Sequence, residues 1–488
     1  MTDASIVMHS PSPTFQPFCS KASGKRPDLH FLWLHPESWP AWVTQSPTLL
    51  RYLELLGPLD WANFPERNLV RNWGQTAIPY AALAAAILLK LNEGMPALKT
   101  LRRFLVEHPG FIWAFGFPVN FDATTPLGFN AQASLPTQRH LTQMLRHMPN
   151  AVLQNLLSSS VQLILVELAQ HDASGVECIS LDTKHILAWV KENNPKAYVS
   201  ERFNKERQPP GDPDCKLGCK RRHNQRIEPA TPTRSPVAGS TLQVGEYYWG
   251  YGSGIVVTKV PGWGEFVLAE WTQPFDCGDV SYFFPLMRQV EEQLGYQPRY
   301  GTFDAAFDAW YVYAYFYRAN DPDHGFAAVP FSEKGGYKAQ GRQFTAEGGP
   351  RCAAGLPMPL LFTFTNRTSC LVEHTRGKYG CPLCVPTRIA SACPMNHKNW
   401  KRGGCTAMMP ISMGACLRYT LDRASETYKR LLRQRTAVER INSQAVALGI
   451  ERPHLRNARA IANQNTLIYL LINLRFLQRL RQQGEELE

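Results

Sequence analysis

The sequence predicts a mixed α/β protein that begins with an all-α domain. Apolar residues recur at helical spacing through residues 30–170, short apolar or alternating segments begin at residue 176, and long amphipathic segments follow residue 422. The first pattern indicates packed helices, the second indicates a sheet, and the third indicates helices that cover it. At 488 residues the chain is too long for one ordinary core, so we expect more than one domain.

The sheet region alternates between strand and helix patterns. In chain order we predict strands at 176–181, 247–260 and 265–272, a helix at 280–294, a strand at 299–303, a helix at 309–318 and a strand at 326–330. Three strands followed by two helix-strand units describe a mixed sheet. This order fits a ribonuclease H-like fold.

Changes in composition divide the chain into segments. The first residues are rich in Ser and Pro, and residues 332–413 are rich in Gly, Pro and Cys and too long to form a plain loop. We predict a disordered tail at 1–28, a helical N-terminal domain at 29–170, the first part of the core at 171–331 with a basic arm at 191–240, a Cys-rich insertion at 332–413, and the helical C-terminal part of the core at 414–488.

The charge balance favours a polyanionic partner. The chain has 52 Lys and Arg residues against 40 Asp and Glu residues, a formal net charge of +12. Nucleic acid is the first candidate for such a partner, although many basic proteins bind none. The apolar runs at 80–89, 161–169 and 466–477 are shorter than the roughly 20 residues of a membrane span. Because the N-terminus also lacks a signal-peptide pattern, we expect a cytoplasmic protein without a membrane partner.

Three acidic residues follow a pattern typical of a metal site. Asp182 and Asp304 each come directly after a predicted strand, and parallel neighbouring strands would bring the two carboxylates together. Glu439 lies on a predicted helix, four residues after Arg435 and on the same face. Turn chemistry alone explains an aspartate after a strand, and a helical salt bridge alone explains the second pair. Together, however, the three carboxylates are the hard oxygen ligands that two divalent ions require.

These motifs resemble those of bacterial insertion-sequence transposases of the DDE class. The features that carry the resemblance span most of the chain: residues 181–183, residues 304–309, the helix of Arg435 and Glu439, and the helical segment 80–104. The resemblance implies a ribonuclease H-like catalytic domain and a helical N-terminal transposase domain. Leu432 and Val446 stand where the family signature has a tyrosine and a lysine.

The resemblance also implies a catalytic triad of Asp182, Asp304 and Glu439, with Asp308 as the rival of Asp304. Two Mg²⁺ or Mn²⁺ ions would lie between the carboxylates, one activating water or a DNA 3′-hydroxyl and the other stabilising the leaving oxygen. The enzyme would cut the ends of its own element and join them to target DNA. Its partners would be double-stranded DNA, as terminal inverted repeats and target, and a second copy in a synaptic dimer at the bacterial nucleoid.

Basic residues supply the expected DNA contacts. Lys184 and Arg435 lie beside the acidic residues in the sequence, and Lys220, Arg221 and Arg222 lie in the basic arm. Each phosphate that such a residue neutralises adds sequence-independent, salt-sensitive affinity. A solvated basic loop is the equally ordinary interpretation of the arm.

The insertion contains a candidate structural zinc site. Its ligands would come from a C-x2-C knuckle, a C-x3-H pair and one further cysteine, namely Cys381, Cys384, Cys393, His397 and Cys405. Cys352, Cys370 or Cys416 could substitute for one of these ligands, and a cluster of reduced, buried thiols is the alternative.

Two other functions fit the same sequence. One is a catalytically silent DNA-binding regulator derived from a transposase, and the intact carboxylates argue against it. The other is a plain metal nuclease of ribonuclease H-like fold, which would cut nucleic acid without joining ends.

Overall fold

The chain forms two compact units in the computed structural model. The model describes residues 29–69, 77–171, 173, 175–219, 247–320, 324–331, 343–366 and 371–487. One unit comprises Met1–Ile164 and Arg459–Glu488, and the other comprises Leu165–Ala458. The predicted disordered tail at 1–28 and residues 220–240 of the predicted basic arm lie outside the described residues.

Helices make up the described part of the first unit and flank the sheets of the second. In chain order they are α1 (Leu29–Leu34), α2 (Ala41–Thr44), α3 (Pro47–Leu56), α4 (Tyr80–Asn92), α5 (Leu98–Glu107), α6 (Gly110–Ala114), α7 (Ala131–Ser134), α8 (Gln138–His147), α9 (Asn150–Gln170), α10 (Phe283–Leu294), α11 (Trp310–Phe316), α12 (Met413–Thr420), α13 (Glu426–Arg433), α14 (Thr436–Ala447) and α15 (Ala458–Leu487). The helical region that the sequence predicts at the N-terminus is therefore present.

Helix α15 belongs almost entirely to the helical unit, although the sequence assigned residues 414–488 to one core. Its apolar residues are buried nearly all round, and its polar residues reach the N-terminal helices. Asn463 Nδ2 donates to the carbonyls of Leu145 and Met148 at 2.8 and 2.9 Å, and Asn473 Nδ2 donates to Ser160 Oγ at 3.0 Å. Buried amides need such partners, so these bonds fix the helix in this unit.

Helix α9 is long and apolar enough to cross a membrane by length and composition. Of its most apolar window, 44% is buried inside the protein. Its Gln154 side chain donates to Thr466 Oγ1 at 3.2 Å. Since core helices of soluble proteins pass the same test, this one helix is weak evidence for a membrane span.

The second unit is built on a mixed sheet. Its strands are β1 (Cys178–Leu187), β2 (Lys216–Cys219), β3 (Tyr247–Val260), β4 (Gly264–Pro274), β5 (Tyr300–Thr302) and β6 (Ala327–Ala328). The path through the sheet is β2-β3-β1-β5-β6, with β4 also paired to β3. The β1-β3, β2-β3 and β3-β4 pairs are antiparallel, whereas β1-β5 and β5-β6 are parallel. The mixed sheet that the sequence predicts is confirmed.

Two predictions about the strands differ from the structure. The strand predicted at 176–181 continues to Leu187, because β3 pairs with it as far as Leu187 and Gly250. The basic arm, predicted as a loop, contains β2, which pairs with the first residues of β3. In both cases the neighbouring strand supplies backbone hydrogen bonds that the local sequence does not indicate.

Helices α10 and α14 cover opposite faces of the sheet. On one face, Gly252 and Gly254 of β3 let Tyr282 approach, since a Cβ at either glycine would lie 2.3 Å from a Tyr282 atom. On the other face, Ser180 Oγ of β1 donates to the carbonyl of Gln434, just before α14, at 3.3 Å. Alternate residues of β1 therefore face different helices.

The region before α15 is more broken than predicted. The sequence predicts a long amphipathic helix after residue 422, but α13 and α14 are separated at Gln434 and Arg435. Ser425 caps α13 by accepting from the Tyr428 amide at 3.2 Å. Helix α13 packs against β5 and β6, whereas α14 packs against β1, β3 and β4.

The Cys-rich insertion contains a small antiparallel sheet of β7 (Leu360–Asn366), β8 (His374–Tyr379) and β9 (Ala407–Pro410), in the order β7-β8-β9. The cysteine knuckle lies between β8 and β9. The insertion thus has secondary structure of its own, as its length predicts.

Candidate active site

Asp182 lies within β1, and Asp304 lies two residues after the end of the neighbouring parallel strand β5. Cys178, Ile179 and Ser180 of β1 pair with Tyr300, Gly301 and Thr302 of β5. The Ser180 and Thr302 hydroxyls are hydrogen-bonded at 2.8 Å. Asp182 lies two residues after Ser180, and Asp304 lies two residues after Thr302. Both aspartates are therefore on the same face of the sheet as these two hydroxyls. The pairing of β1 with β5 ends at Ser180 and Thr302, and the two aspartates lie just beyond these last paired residues.

The pKa of Asp182 depends on its burial and on the negative charges of neighbouring carboxylates. The pKa of Asp182 is raised to about 6, chiefly by burial and also by the nearby carboxylates of Asp304 and Asp279. The Thr183 amide, which donates to Asp182 Oδ1 at 2.9 Å, and the charge of Arg435 act in the opposite direction. A buried carboxylate pair of this kind is stabilised by a cation.

The geometry separates Asp304 from its rival Asp308. The Asp308 side chain is 0% exposed and accepts from Arg418 Nε at 2.7 Å and Arg418 Nη2 at 2.5 Å. Tyr313 Oη also donates to it, at 3.0 Å. Asp304 instead caps the turn Ala305–Phe307, accepting from the Ala306 amide at 2.8 Å. Asp308 is committed to an internal ion pair, whereas Asp304 adjoins Asp182.

Glu439 is on the helix that faces the aspartates, but its carboxylate is directed elsewhere. Its side chain is 53% exposed and accepts from Arg435 Nη2 at 2.7 Å. Exposed pairs of this type contribute at most about 1 kcal/mol. The structure thus brings two of the three predicted carboxylates together and places the third on the covering helix, in a pair that is easily broken.

Asn442 is the polar side chain of α14 that reaches the aspartates. The helix buries Ala437, Val438, Ile441, Ala445 and Asn442. Asn442 Nδ2 donates to Asp182 Oδ2 at 3.4 Å, and Asn442 Oδ1 is buried without a hydrogen-bond partner among the described residues. Leaving a buried oxygen unpaired costs about 1–3 kcal/mol.

The donor set suits a hard cation. Within the described residues, no group of three or more His, Cys, Asp or Glu side chains could hold a metal ion as placed. The Asp182 and Asp304 carboxylates and the unpaired Asn442 oxygen are nevertheless the oxygen ligands that Mg²⁺ and Mn²⁺ prefer. The residues present therefore fit a divalent ion that completes its shell with Glu439, water or substrate.

The residues that the sequence predicts to contact DNA differ in their surroundings. Lys184 Nζ is ion-paired with Glu451 Oε1 at 2.5 Å and is only 16% exposed, so its charge is used within the fold. Arg435 is paired with Glu439 and also acts on Asp182. Lys220, Arg221 and Arg222 lie outside the described residues.

A separate cleft lies on the α10 face of β1. Thr183 and His185 line it together with Asp279 and Tyr282. Thr183 Oγ1 donates to Asp279 Oδ1 at 2.9 Å, and His185 Nδ1 lies 3.1 Å from Tyr248 Oη. Because these residues alternate with Asp182 along the strand, the cleft does not contain the carboxylate pair.

In the insertion, Cys381 contacts two of the other predicted zinc ligands, Cys384 and Cys405. Burial raises the pKa of the Cys381 thiol, but bonds from the backbone amides of Leu383 and Cys405 and from the Cys384 and Cys405 side chains bring it below its usual value. The Gly404 backbone lies against two of these thiols, since a Cβ there would be 2.8 Å from Cys381 Sγ and 3.2 Å from Cys384 Sγ. His397 Nδ1 instead accepts from the Asn399 amide at 3.2 Å.

Sequence reasoning missed Asn442, Asp279 and the Asp308 partner Arg418. Asn442 lies three residues after Glu439, so helical spacing could have placed both on one face. For Asp279 and Arg418 the sequence carries no comparable signal, because their contacts join segments far apart in the chain.

No protein-family model, no curated protein and no solved structure matches this chain.

Proposed function

We propose that this chain is a DDE transposase, a metal-dependent enzyme that cuts the ends of its own insertion element and joins them to target DNA. The observation that carries the proposal is the proximity of Asp182, on β1, and Asp304, just after the parallel strand β5, at the side of the sheet covered by the helix that bears Glu439. Carboxylates converging from two strands and a helix are what metal-assisted phosphoryl transfer requires.

The strand order supports a ribonuclease H-like interpretation of the sheet. Strands β1, β3 and β4 form an antiparallel set, and β5 and β6 then extend the sheet in parallel on the other side of β1. A ribonuclease H-like fold has this arrangement, with acidic residues on the first and fourth of its five strands. Here Asp182 lies on the first of these strands, and Asp304 lies two residues after the end of the fourth.

Each residue of the site has a distinct proposed part. Asp182 and Asp304 would hold Mg²⁺ or Mn²⁺, which when bound would polarise the scissile phosphate and its attacking oxygen. Glu439 would join them by leaving Arg435, and Arg435 would then be free to contact a phosphate. Asp308 keeps α12 against the sheet region and takes no part in the chemistry.

The partners follow from the reaction. Double-stranded DNA would bind as terminal inverted repeats and as target, two copies of the chain would meet in a synaptic dimer, and the protein would act in the cytoplasm at the nucleoid. The helical unit would recognise the repeats, and its helix α8 exposes Gln138, Arg139 and Gln143. Exposed amide and guanidinium groups on a helix are suited to reading bases in a major groove.

The proposal is tested by strand transfer with a labelled DNA end that carries the inverted repeats flanking the reading frame. Wild-type protein with Mg²⁺ or Mn²⁺ is expected to produce joined products, and EDTA is expected to abolish them. Cleavage without joining would point instead to a plain nuclease. Binding of the repeats without cleavage, by folded protein, would point to a regulator.

We also propose a structural Zn²⁺ in the Cys-rich insertion, held by Cys352, Cys381, Cys384 and Cys405. The contacts among the last three thiols support it, and Cys352 acts electrostatically on Cys405. The thiols would draw together on binding, since zinc binding and local folding are coupled in such sites. This set omits Cys393 and His397 from the originally predicted ligands.

Metal analysis of the purified chain is expected to find one zinc per molecule. Cys384→Ser should lose it, because a knuckle thiolate is removed, whereas Cys393→Ser should retain it as the matched control. Equal loss in both variants would restore the C-x3-H pair as ligands. Wild-type protein without zinc would favour the cluster of reduced thiols.

A further inference from the structure

Asn442 occupies a position that its helix would ordinarily give to an apolar residue. The other buried residues of α14 are Ala437, Val438, Ile441 and Ala445, and Asn442 itself is 9% exposed. A buried amide is retained in such a face where it has a polar partner. In the described structure one end of this amide has a partner and the other has none.

The end with a partner meets Asp182. Asn442 Nδ2 lies 3.4 Å from Asp182 Oδ2, at the long limit of a hydrogen bond. The opposite atom, Asn442 Oδ1, is shielded from solvent and has no hydrogen-bond partner within the described part of the chain. Without a cation, an amide beside a carboxylate pair must turn its N–H group towards the negative charge.

A half-turn of the amide would place Oδ1 where Nδ2 now lies. Two oxygen ligands at right angles on one Mg²⁺, each at about 2.0–2.1 Å, are about 2.8–3.0 Å apart. The observed 3.4 Å between Asn442 Nδ2 and Asp182 Oδ2 is about 0.4–0.6 Å longer than this separation, so the two groups would move closer together on the ion. The unpaired oxygen would thereby gain a partner, which the ion supplies.

We propose that Asn442 supplies a neutral oxygen ligand to the divalent cation held by Asp182 and Asp304. This inference rests on the proposed metal-dependent function and adds a ligand to it. Glu439, one turn earlier on the same helix, carries the charge that balances the ion, while Asn442 binds it without adding a further negative charge to a crowded carboxylate pair. The neutral ligand limits charge repulsion in the metal-free protein.

The test measures Mn²⁺ binding to the full chain by calorimetry, without DNA, so that it does not depend on activity. Asn442→Ala is expected to weaken Mn²⁺ binding about tenfold or more. Asn442→Asp retains an oxygen ligand but has no N–H donor, so it should bind Mn²⁺ at least as tightly as wild type. Ser443→Ala, at the exposed neighbouring position, is the matched control and should bind like wild type.

The outcomes separate the ligand role from the other possibilities. If Asn442→Ala binds Mn²⁺ like wild type while Asp182→Asn does not, Asn442 is not a ligand and the proposed function stands. If Asn442→Asp is as weak as Asn442→Ala, Asn442 acts only by donating to Asp182, and the inference is overturned. If folded wild type itself binds no Mn²⁺ or Mg²⁺, both the inference and the proposed function fail. Thermal unfolding of each variant without metal establishes that it is folded.

Discussion

Asp182→Asn is expected to abolish strand transfer while making the metal-free protein more stable at neutral pH. The amide removes a charged ligand from the proposed cation site, and losing one such electrostatic contact lowers rates by at least about 10²–10³-fold. Labelled element ends incubated with each variant give the measurement. The same loss is expected for Asp304→Asn and Glu439→Gln.

The stability gain follows from the raised pKa of Asp182. Burial and the neighbouring carboxylates raise this pKa from 3.8 to about 6. The folded protein thus retains a proton that the unfolded chain releases, so the stability of the metal-free protein falls as pH rises from about 4 through 6. A pKa shift of this size lowers the free energy of unfolding of the metal-free protein by up to about 3 kcal/mol at pH 7. Asparagine cannot ionise and avoids this loss.

Urea unfolding in EDTA at pH 4 and pH 7 measures this effect. The difference in unfolding free energy between Asp182→Asn and wild type should increase from pH 4 to pH 7, in favour of the variant. Asp276→Asn, which changes an exposed aspartate of the same unit, is the control and should show no such increase. A difference that does not change with pH would mean that Asp182 is ionised in the folded protein without cost. Adding Mn²⁺ should favour wild type again.

Arg418→Met is expected to destabilise the protein by about 3–5 kcal/mol, because it leaves the Asp308 carboxylate buried without its partner. Arg418 is 17% exposed and holds both oxygens of Asp308, and Arg423 donates to Tyr313 Oη beside it at 2.9 Å. Burial acts to lower the pKa of the Arg418 guanidinium, but the hydrogen bonds that it donates to Asp308 and the charge of that carboxylate raise the pKa above its usual value. The pair is therefore a structural junction between α12 and the segment that follows β5.

Chemical denaturation of Arg418→Met and of a matched variant tests this expectation. Arg440 also makes a bidentate pair, with Glu265 at 2.6 and 2.9 Å, but its side chain is 47% exposed. Arg440→Met should therefore cost no more than about 1 kcal/mol. Similar losses in the two variants would show that burial does not strengthen the Asp308 pair.

The same reasoning distinguishes Asp308 from Asp304 in function. Asp308→Asn should reduce stability yet leave strand transfer by the folded fraction intact, measured at low temperature. Asp304→Asn should keep the fold and lose strand transfer. The reverse pattern would make Asp308 the metal ligand.

Local sequence patterns determined much of the fold. Strand β3 was predicted with the bounds that it has, Tyr247–Val260, because its run of strand-forming residues ends at a Pro-Gly turn. Helix α4 matches the apolar segment at 80–91 almost residue for residue. Periodicity and turn residues act within a few positions, so the sequence alone is sufficient for such features.

Elements whose limits depend on a distant partner were predicted less well. Strand β1 extends to Leu187 because β3 pairs with it, and β2 forms within the basic arm for the same reason. Helix α15 groups with the helical unit because Asn463 and Asn473 find their partners there. Tertiary contacts override a local pattern wherever they satisfy backbone or buried polar groups.

For the candidate site too, the sequence predicted some features and the tertiary structure decided the others. The sequence by itself determined that Asp304 follows a strand and that Glu439 shares a helix face with Arg435, since these are statements about neighbouring positions. Asp182 was predicted to follow a strand as well, but it lies inside β1, because β3 extends that strand to Leu187. The salt bridge between Arg435 and Glu439 is also local and was among the interpretations that the sequence offered. Only the tertiary structure decided that Asp308 is held by Arg418 and that Asn442 reaches Asp182. Strand register and helix packing fix which side chains meet, and both depend on residues more than a hundred positions away.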